Sequence, residues 1–146
     1  FKESILALKE LQDKKLIKHI GLSNVNLSQL EEAQEIVKIV SVQNHFNLGF
    51  KQDEYKLLPF LTENKITYIP YFPLGGGRIL KNQKLISLAK ELKLTTSQLA
   101  LSWILKKWPT AIPIPGTKDK NHLNENIKAS ETELNEKIIE KLDSLF

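Results

Sequence analysis

The sequence contains no cysteine, no methionine and only three histidines. Without cysteine the chain can form neither a disulfide framework nor a thiolate metal site. His19, His45 and His122 are too scattered to make a paired metal-binding motif, so no metal centre is predicted. The lack of methionine predicts that these 146 residues are part of a longer chain.

Long apolar runs are also missing. No stretch approaches the roughly 20 apolar residues that cross a bilayer, and the first residues lack the basic-then-apolar pattern of a secretory signal, so we expect a cytoplasmic protein. The net charge is +4, but lysines are mixed with acidic residues along helical segments, which is typical of a solvated surface rather than a nucleic-acid site. A chain that is 41% hydrophobic and 26% charged is predicted to fold as one globular domain over residues 1–146.

Short β-branched runs alternate with helical patterns along the chain. The predicted strands are residues 17–22, 39–43, 66–72 and 111–114. Helices are predicted over residues 2–13, from an N-cap at Asn26, within residues 53–64 at least from Leu57, over residues 85–92, from a capping box of Thr95 and Gln98, over residues 120–129, and from an N-cap at Asn135. This order predicts an α/β protein whose parallel sheet is connected by helical crossovers.

Four parallel strands leave two open edges, whereas a complete (β/α)8 barrel takes about 250 residues. The sequence therefore predicts either a small open α/β sheet or half of a barrel. Open edges near residues 17 and 111 predict that the isolated chain associates with itself or is poorly soluble, whereas a monodisperse monomer would favour the small open sheet.

Polar side chains follow each predicted strand. They are Ser23 and Asn24 after the first, Gln43 and Asn44 after the second, Tyr71 after the third, and Thr117 and Lys118 after the fourth. Any one of them could be only a turn, a helix cap or a packed strand end. Together they predict one ligand-binding rim, because the carboxyl ends of parallel strands meet at one edge and amide side chains suit a neutral carboxamide ligand.

Two glycine-containing segments lie on the same side. Gly75, Gly76 and Gly77 allow backbone N–H groups to approach a ligand closely, although such a run is more often a flexible loop. Gly116, Thr117 and Lys118 precede a predicted helix, so they offer a hydroxyl, an ammonium and a helix N-terminus to a phosphate.

Four runs of residues carry a family resemblance. They are IGLSN (residues 20–24), VQNHFNL (42–48), YFPLG (71–75) and IPGTKDKNHLNEN (114–126). Together they resemble the C-terminal half of the aldo-keto reductases, over nearly the whole chain. The resemblance implies half of a (β/α)8 TIM barrel, with strands five to eight, their helices and an extra C-terminal helix.

The resemblance also implies an NADP cofactor and assigns a role to each candidate residue. Ser23, Asn24 and Gln43 would hold the nicotinamide carboxamide, and Tyr71 would stack under the nicotinamide ring. Phe72 would lie beside the ring, and Leu74, Gly75 and Gly76 along the pyrophosphate. The far end of the cofactor would meet Gly116, Thr117, Lys118, His122, Glu125 and Asn126, of which Thr117 and Lys118 would approach the adenosine 2′-phosphate. Strongly NADPH-preferring members often have a lysine at position 116 and an arginine at position 122, so use of NADH stays open.

No residue here matches the catalytic Asp, Tyr, Lys and His of the family, which come from its first four strands. The resemblance therefore implies the cofactor-binding half of an enzyme that reduces aldehydes or ketones by hydride transfer, and a chain that is inactive alone because it lacks a proton donor. A second reading is a non-catalytic half-barrel that binds a nucleotide or pairs with a partner chain. A third is a small open phosphate-binding module.

Overall fold

The computed structural model describes all residues from 1 to 146. Three strands are present: β1 (Ile20–Ser23), β2 (Ile39–Gln43) and β3 (Thr67–Tyr68). Seven helices surround them: α1 (Lys2–Asp13), α2 (Leu27–Gln34), α3 (Leu57–Glu63), α4 (Gln83–Glu91), α5 (Thr96–Lys107), α6 (Lys120–Lys128) and α7 (Glu136–Asp143). Short 3-10 turns cover Gly75–Gly77, Ile79–Lys81 and Ala129–Glu131. None of the helices combines the length and apolar composition that a membrane span requires.

The sheet is parallel throughout, in the order β1-β2-β3, as predicted. The predicted fourth strand is wrong as a regular strand, because the segment makes only a single parallel bridge, from Ala111 to Tyr68. The Ile112 and Ile114 N–H groups donate to the Tyr68 and Pro70 carbonyls at 2.7 and 3.3 Å, but Pro70 has no N–H to donate back, so no regular ladder forms. The segment nevertheless occupies the fourth position, beside β3.

The third strand is also shorter than predicted. It covers two residues instead of seven, because Pro70 interrupts the hydrogen-bonding pattern just after it. The start predicted for the next helix is confirmed: α3 begins at Leu57, and residues 53–56 form turns. Pro59 is the third residue of α3, in the first turn, where its missing N–H costs no intrahelical bond.

Local capping signals position the helices. Asn26 and Gln29 form a complete capping box at the start of α2, and Thr95 and Gln98 form another at the start of α5. Asn135 accepts a hydrogen bond from the Ile138 N–H at the start of α7. These N-caps confirm the predicted starts of three helices, each of which follows a loop on the way back to the sheet.

One face of the sheet is packed and the other is open. In β1, Ile20 and Leu22 are buried in the core, whereas Gly21 and Ser23 are exposed on the opposite side. On the fourth segment, Ile112 is 59% exposed. Parallel sheets normally bury both faces, so this arrangement is typical of a sheet that belongs to a larger layer structure.

Candidate functional site

The ends of β1 and β2 and the segment after β3 meet at one rim. The Asn24 N–H donates to the Gln43 carbonyl at 3.0 Å. The Tyr71 hydroxyl donates to Asn24 Oδ1 at 2.8 Å, and Asn24 Nδ2 donates to Ser23 Oγ at 3.1 Å. Ser23, Asn24 and Gln43, which the resemblance implies at a carboxamide, and Tyr71, which it implies under the ring, are therefore linked, directly or through one neighbour.

The backbone of Asn24 lies in the left-handed region, with φ of 55°. Asparagine is the non-glycine residue that tolerates this conformation best, because its short polar side chain can form local hydrogen bonds. Asn24 therefore turns the chain out of β1, and it also places an amide group next to Tyr71.

The Tyr71 ring belongs to an aromatic stack. It lies 5.5 Å from the His45 ring at an interplanar angle of 18°, and His45 stacks on Phe50 at 4.2 Å and 10°. Phe72 meets Tyr71 edge-on at 5.6 Å and is 59% exposed. A stack of this kind fixes the plane of Tyr71 and presents a flat aromatic surface at the rim.

A cavity of about 750 Å³ opens beside this stack. Nine of the fourteen candidate residues line it: Tyr71, Phe72, Leu74, Gly76, Gly116, Thr117, His122, Glu125 and Asn126. Ser23, Asn24, Gln43, Gly75 and Lys118 do not; of these, Asn24 shares a smaller cavity of about 320 Å³ with Tyr71, and Gly75 shares one of about 410 Å³ with it. Tyr71 is common to all three cavities.

The start of α5 also lines the large cavity, and sequence reasoning missed it. Thr95, Thr96 and Ser97 supply hydroxyl groups there. The capping box of Thr95 was visible in the sequence, but capping accounts only for the Thr95 hydroxyl, which accepts from the Gln98 N–H at 3.1 Å. The hydroxyls of Thr96 and Ser97, in the first turn beside that cap, were the signal in the sequence that could have indicated this part of the cavity wall.

The glycine loop is more ordered than predicted. The Gly75 and Gly77 N–H groups donate to the Phe72 and Leu74 carbonyls at 2.8 and 2.9 Å, so these two are used within the loop rather than offered to a ligand. Gly75 has φ of 59°, and a Cβ there would lie 3.1 Å from Ile79 Cγ2. Only glycine fits this position without strain.

The N-terminus of α6, which follows Thr117, is not free. This corrects the expectation that it is offered to a phosphate. The carboxylate of Asp119 caps α6 by accepting the N–H groups of Asn121 and His122 at 2.7 and 3.0 Å. These two hydrogen bonds lower the pKa of Asp119, so the cap is ionised at neutral pH. Lys118 is exposed and takes part in none of the ion pairs of the chain, so its ammonium is the group available to an anion.

Comparisons with known proteins place this geometry in a family. The model of the Aldo/keto reductase family matches residues 1–146. Pyridoxine 4-dehydrogenase of Escherichia coli (strain K12) is 40% identical over 142 residues, which are 97% of this chain and 49% of that protein. The crystal structure of a thermostable aldo-keto reductase, Tm1743, with the inhibitor epalrestat superposes with a TM-score of 0.88 at 35% identity, over 99% of this chain and 54% of that one.

An aldo-keto reductase from Klebsiella pneumoniae, crystallised in complex with NADPH, has the same fold, with a TM-score of 0.87 at 24% identity over 99% of this chain and 53% of that one. The chain spans about half the length of the curated relatives and solved structures that it matches. The open sheet is therefore part of a TIM barrel, which confirms the half-barrel prediction over the small open sheet. The chain belongs to the aldo/keto reductase family.

Proposed function

We propose that this chain is the C-terminal, cofactor-binding half of an NAD(P)H-dependent aldo-keto reductase that converts aldehydes or ketones to alcohols. The observation that carries the proposal is the linked set of Ser23, Asn24, Gln43 and Tyr71, of which Tyr71 lines the large cavity. This set offers amide and hydroxyl groups beside a flat aromatic ring. A nicotinamide needs the same combination, because its carboxamide both donates and accepts hydrogen bonds while its ring stacks.

Bound nicotinamide would supply the hydride that reduces the carbonyl. The residues of this chain would bind and orient it: Ser23, Asn24 and Gln43 at the carboxamide, and Tyr71 under the ring, with its plane fixed by the His45 stack. Phe72, Leu74, Gly75 and Gly76 would flank the ring and the pyrophosphate. Thr96 and Ser97 would add hydroxyl groups on the opposite wall of the cavity.

The far end of the cavity supports NADP rather than NAD as the cofactor. Lys118 supplies an unpaired ammonium and Thr117 a hydroxyl, and both groups suit a 2′-phosphate. His122, Glu125 and Asn126 lie on α6 beside them, where an adenine would rest, next to Gly116. The ionised Asp119 repels an added anion, so the attraction between Lys118 and a 2′-phosphate must exceed this repulsion.

Binding and turnover test this function separately. We expect calorimetric titration of the chain to detect NADPH, and the Lys118→Glu variant to weaken NADPH much more than NADH, since only NADPH carries the 2′-phosphate. Lys38→Glu, at another exposed lysine, is the matched control and should leave the NADPH/NADH ratio unchanged. A folded chain that binds neither nucleotide would refute the proposal.

A non-catalytic half-barrel that binds a nucleotide or pairs with a partner chain is the second candidate. It is favoured by the open face of the sheet, where Ile112 and Ile114 are 59% and 46% exposed. Both candidates predict no aldehyde reduction by this chain alone, because the proton donor is expected elsewhere. Mixing the chain with the half that precedes strand five in a relative would restore turnover only under the first.

A further inference from the structure

Asn44 follows Gln43 at the end of β2, and its side chain is buried, with 7% exposed. Its amide forms two hydrogen bonds with the segment that follows β1. Asn44 Oδ1 accepts the Val25 N–H at 3.2 Å, and Asn44 Nδ2 donates to the Val25 carbonyl at 2.7 Å. Val25 directly follows Asn24, so one side chain fixes the backbone on which the Asn24 amide is carried.

The backbone of Asn44 reaches the third rim segment. Its carbonyl accepts the Tyr71 N–H at 3.0 Å. Asn44 is thus bonded to the chain next to Asn24 on one side and to Tyr71 on the other, while its own neighbour Gln43 bonds Asn24. Asn24, Gln43 and Tyr71, three residues of the rim, are therefore connected through Asn44.

A buried carboxylate orients the Asn44 amide. Asp53 Oδ2 accepts hydrogen bonds from Asn44 Nδ2 and from the Tyr68 hydroxyl, both at 2.8 Å. An ionised carboxylate can only accept, so it fixes which end of the amide carries nitrogen. Burial and the charge of Asp53 raise the pKa of Tyr68 well above its usual value, so the phenol stays a donor at neutral pH.

We propose that Asn44 is a positioning residue for the nicotinamide end of the cofactor, which it serves by setting the spacing between Asn24 and Tyr71 without touching the ligand. This inference rests on the proposed function. Hydrogen bonds weaken steeply once donor and acceptor separate beyond their normal range, so a small displacement of Asn24 would cost the carboxamide its partner. The side-chain hydrogen bonds of Asn44 go to Val25 and Asp53, and none goes to Thr117 or His122 at the other end of the cavity.

This difference between the two ends gives the test. The Asn44→Ala variant is titrated with NADPH and with adenosine 2′,5′-bisphosphate, which carries the 2′-phosphate but has no nicotinamide. We expect the Kd for NADPH to rise about tenfold, the effect of losing one or two hydrogen bonds, and the Kd for the bisphosphate to stay within about twofold. Asn44→Ser, measured in the same way, covers the case in which alanine leaves the chain unfolded at the assay temperature.

Two further variants separate positioning from simple destabilisation. Ile5→Val removes one buried methyl from α1, away from the rim, and should lower the melting temperature without changing the ratio of the two Kd values. Asp53→Asn keeps an oxygen acceptor for both donors and should stay closer to the wild type than Asn44→Ala.

The outcomes distinguish the inference from the function on which it rests. Equal weakening of both ligands, or unchanged NADPH binding in a folded Asn44 variant, would overturn the positioning role while leaving the cofactor site intact. A wild-type chain that binds the bisphosphate but not NADPH would remove the nicotinamide subsite and the inference together. Binding of neither ligand would overturn the proposed function as well.

Discussion

The Tyr71 hydroxyl donates a hydrogen bond of 2.8 Å to the side-chain oxygen of Asn24, and both residues line the smaller cavity of about 320 Å³. The direction of this bond sets the orientation of the Asn24 amide, whose nitrogen then faces Ser23 Oγ at 3.1 Å. The Ser23 hydroxyl accepts in this chain of hydrogen bonds, so its own proton is left for a ligand carbonyl. Tyr71 is therefore more than an aromatic surface in the proposed site.

The two functions of Tyr71 are separable by mutation. We expect Tyr71→Phe to keep the stacked ring and weaken NADPH binding severalfold, about the value of one hydrogen bond, and Tyr71→Leu to weaken it further because the ring is lost. Fluorescence titration with NADPH measures both. Tyr55→Phe, at a side chain that is 84% exposed, is the matched control. Binding by Tyr71→Leu equal to that of the wild type would exclude the ring from the cofactor site.

The left-handed backbone at Asn24 predicts an unusual order of stabilities. Asn24→Gly and Asn24→Ala both remove the amide, but alanine must also adopt φ of 55°, which costs about 1 kcal/mol more. We therefore expect the glycine variant to be the more stable of the two in urea unfolding, although both bind NADPH weakly. An alanine variant as stable as the glycine variant would mean that the turn relaxes in solution.

Gly21 lies in close contact with the neighbouring strand. A Cβ at this position would lie 2.4 Å from Ser41 Oγ. We expect Gly21→Ala to destabilise the chain by about 1 kcal/mol, because the Ser41 hydroxyl must turn out of its present rotamer to make room. Ser41→Ala removes the clashing oxygen, so the double variant should recover most of the loss, with Ser41→Ala alone as the reference. Additive effects of the two substitutions in chemical unfolding would contradict this contact.

Local signals made much of the fold predictable. The capping boxes at Asn26 and Thr95 involve residues three apart, so the sequence displays them directly. The rim was predictable as well, because parallel strands necessarily bring Asn24, Gln43 and Tyr71 to one edge. The fourth strand was overestimated because its apolar residues were weighed more heavily than Pro70 on the neighbouring segment, which cannot donate to a ladder.

Other features depend on contacts that are distant in sequence. Asn44 bonds Val25 across 19 residues, and Asp53 bonds Tyr68 across 15, so no local pattern marks either pair. The N-cap role of Asp119 is local and was visible, but the motif around it favoured a phosphate site. The Asp119 carboxylate already occupies the N-terminus of α6, and the sequence alone did not decide between this carboxylate and a bound phosphate.

Buried Tyr68 predicts a loss of stability at alkaline pH. Its folded-state pKa is raised, first by burial and then by Asp53, above the value of about 10 expected in the unfolded chain. A raised pKa means that the stabilisation is complete below pH 10 and declines as the pH rises further, because only the unfolded chain then releases the proton. The pKa of Lys107 is also raised, since its hydrogen bonds to Asp143 and Glu54 outweigh desolvation, and it acts in the same direction.

The Tyr68→Phe variant isolates the contribution of the phenol. It should be less stable than the wild type at pH 7, because Asp53 loses a buried donor, but its free energy of unfolding should fall less steeply between pH 9 and about pH 11. Urea unfolding at several pH values gives both slopes, and the phenolate absorbance that the wild type shows in excess of Tyr68→Phe should develop together with unfolding. Parallel slopes for the two proteins would show that Tyr68 ionises equally readily in the folded and unfolded chains, against the burial that the structure gives it.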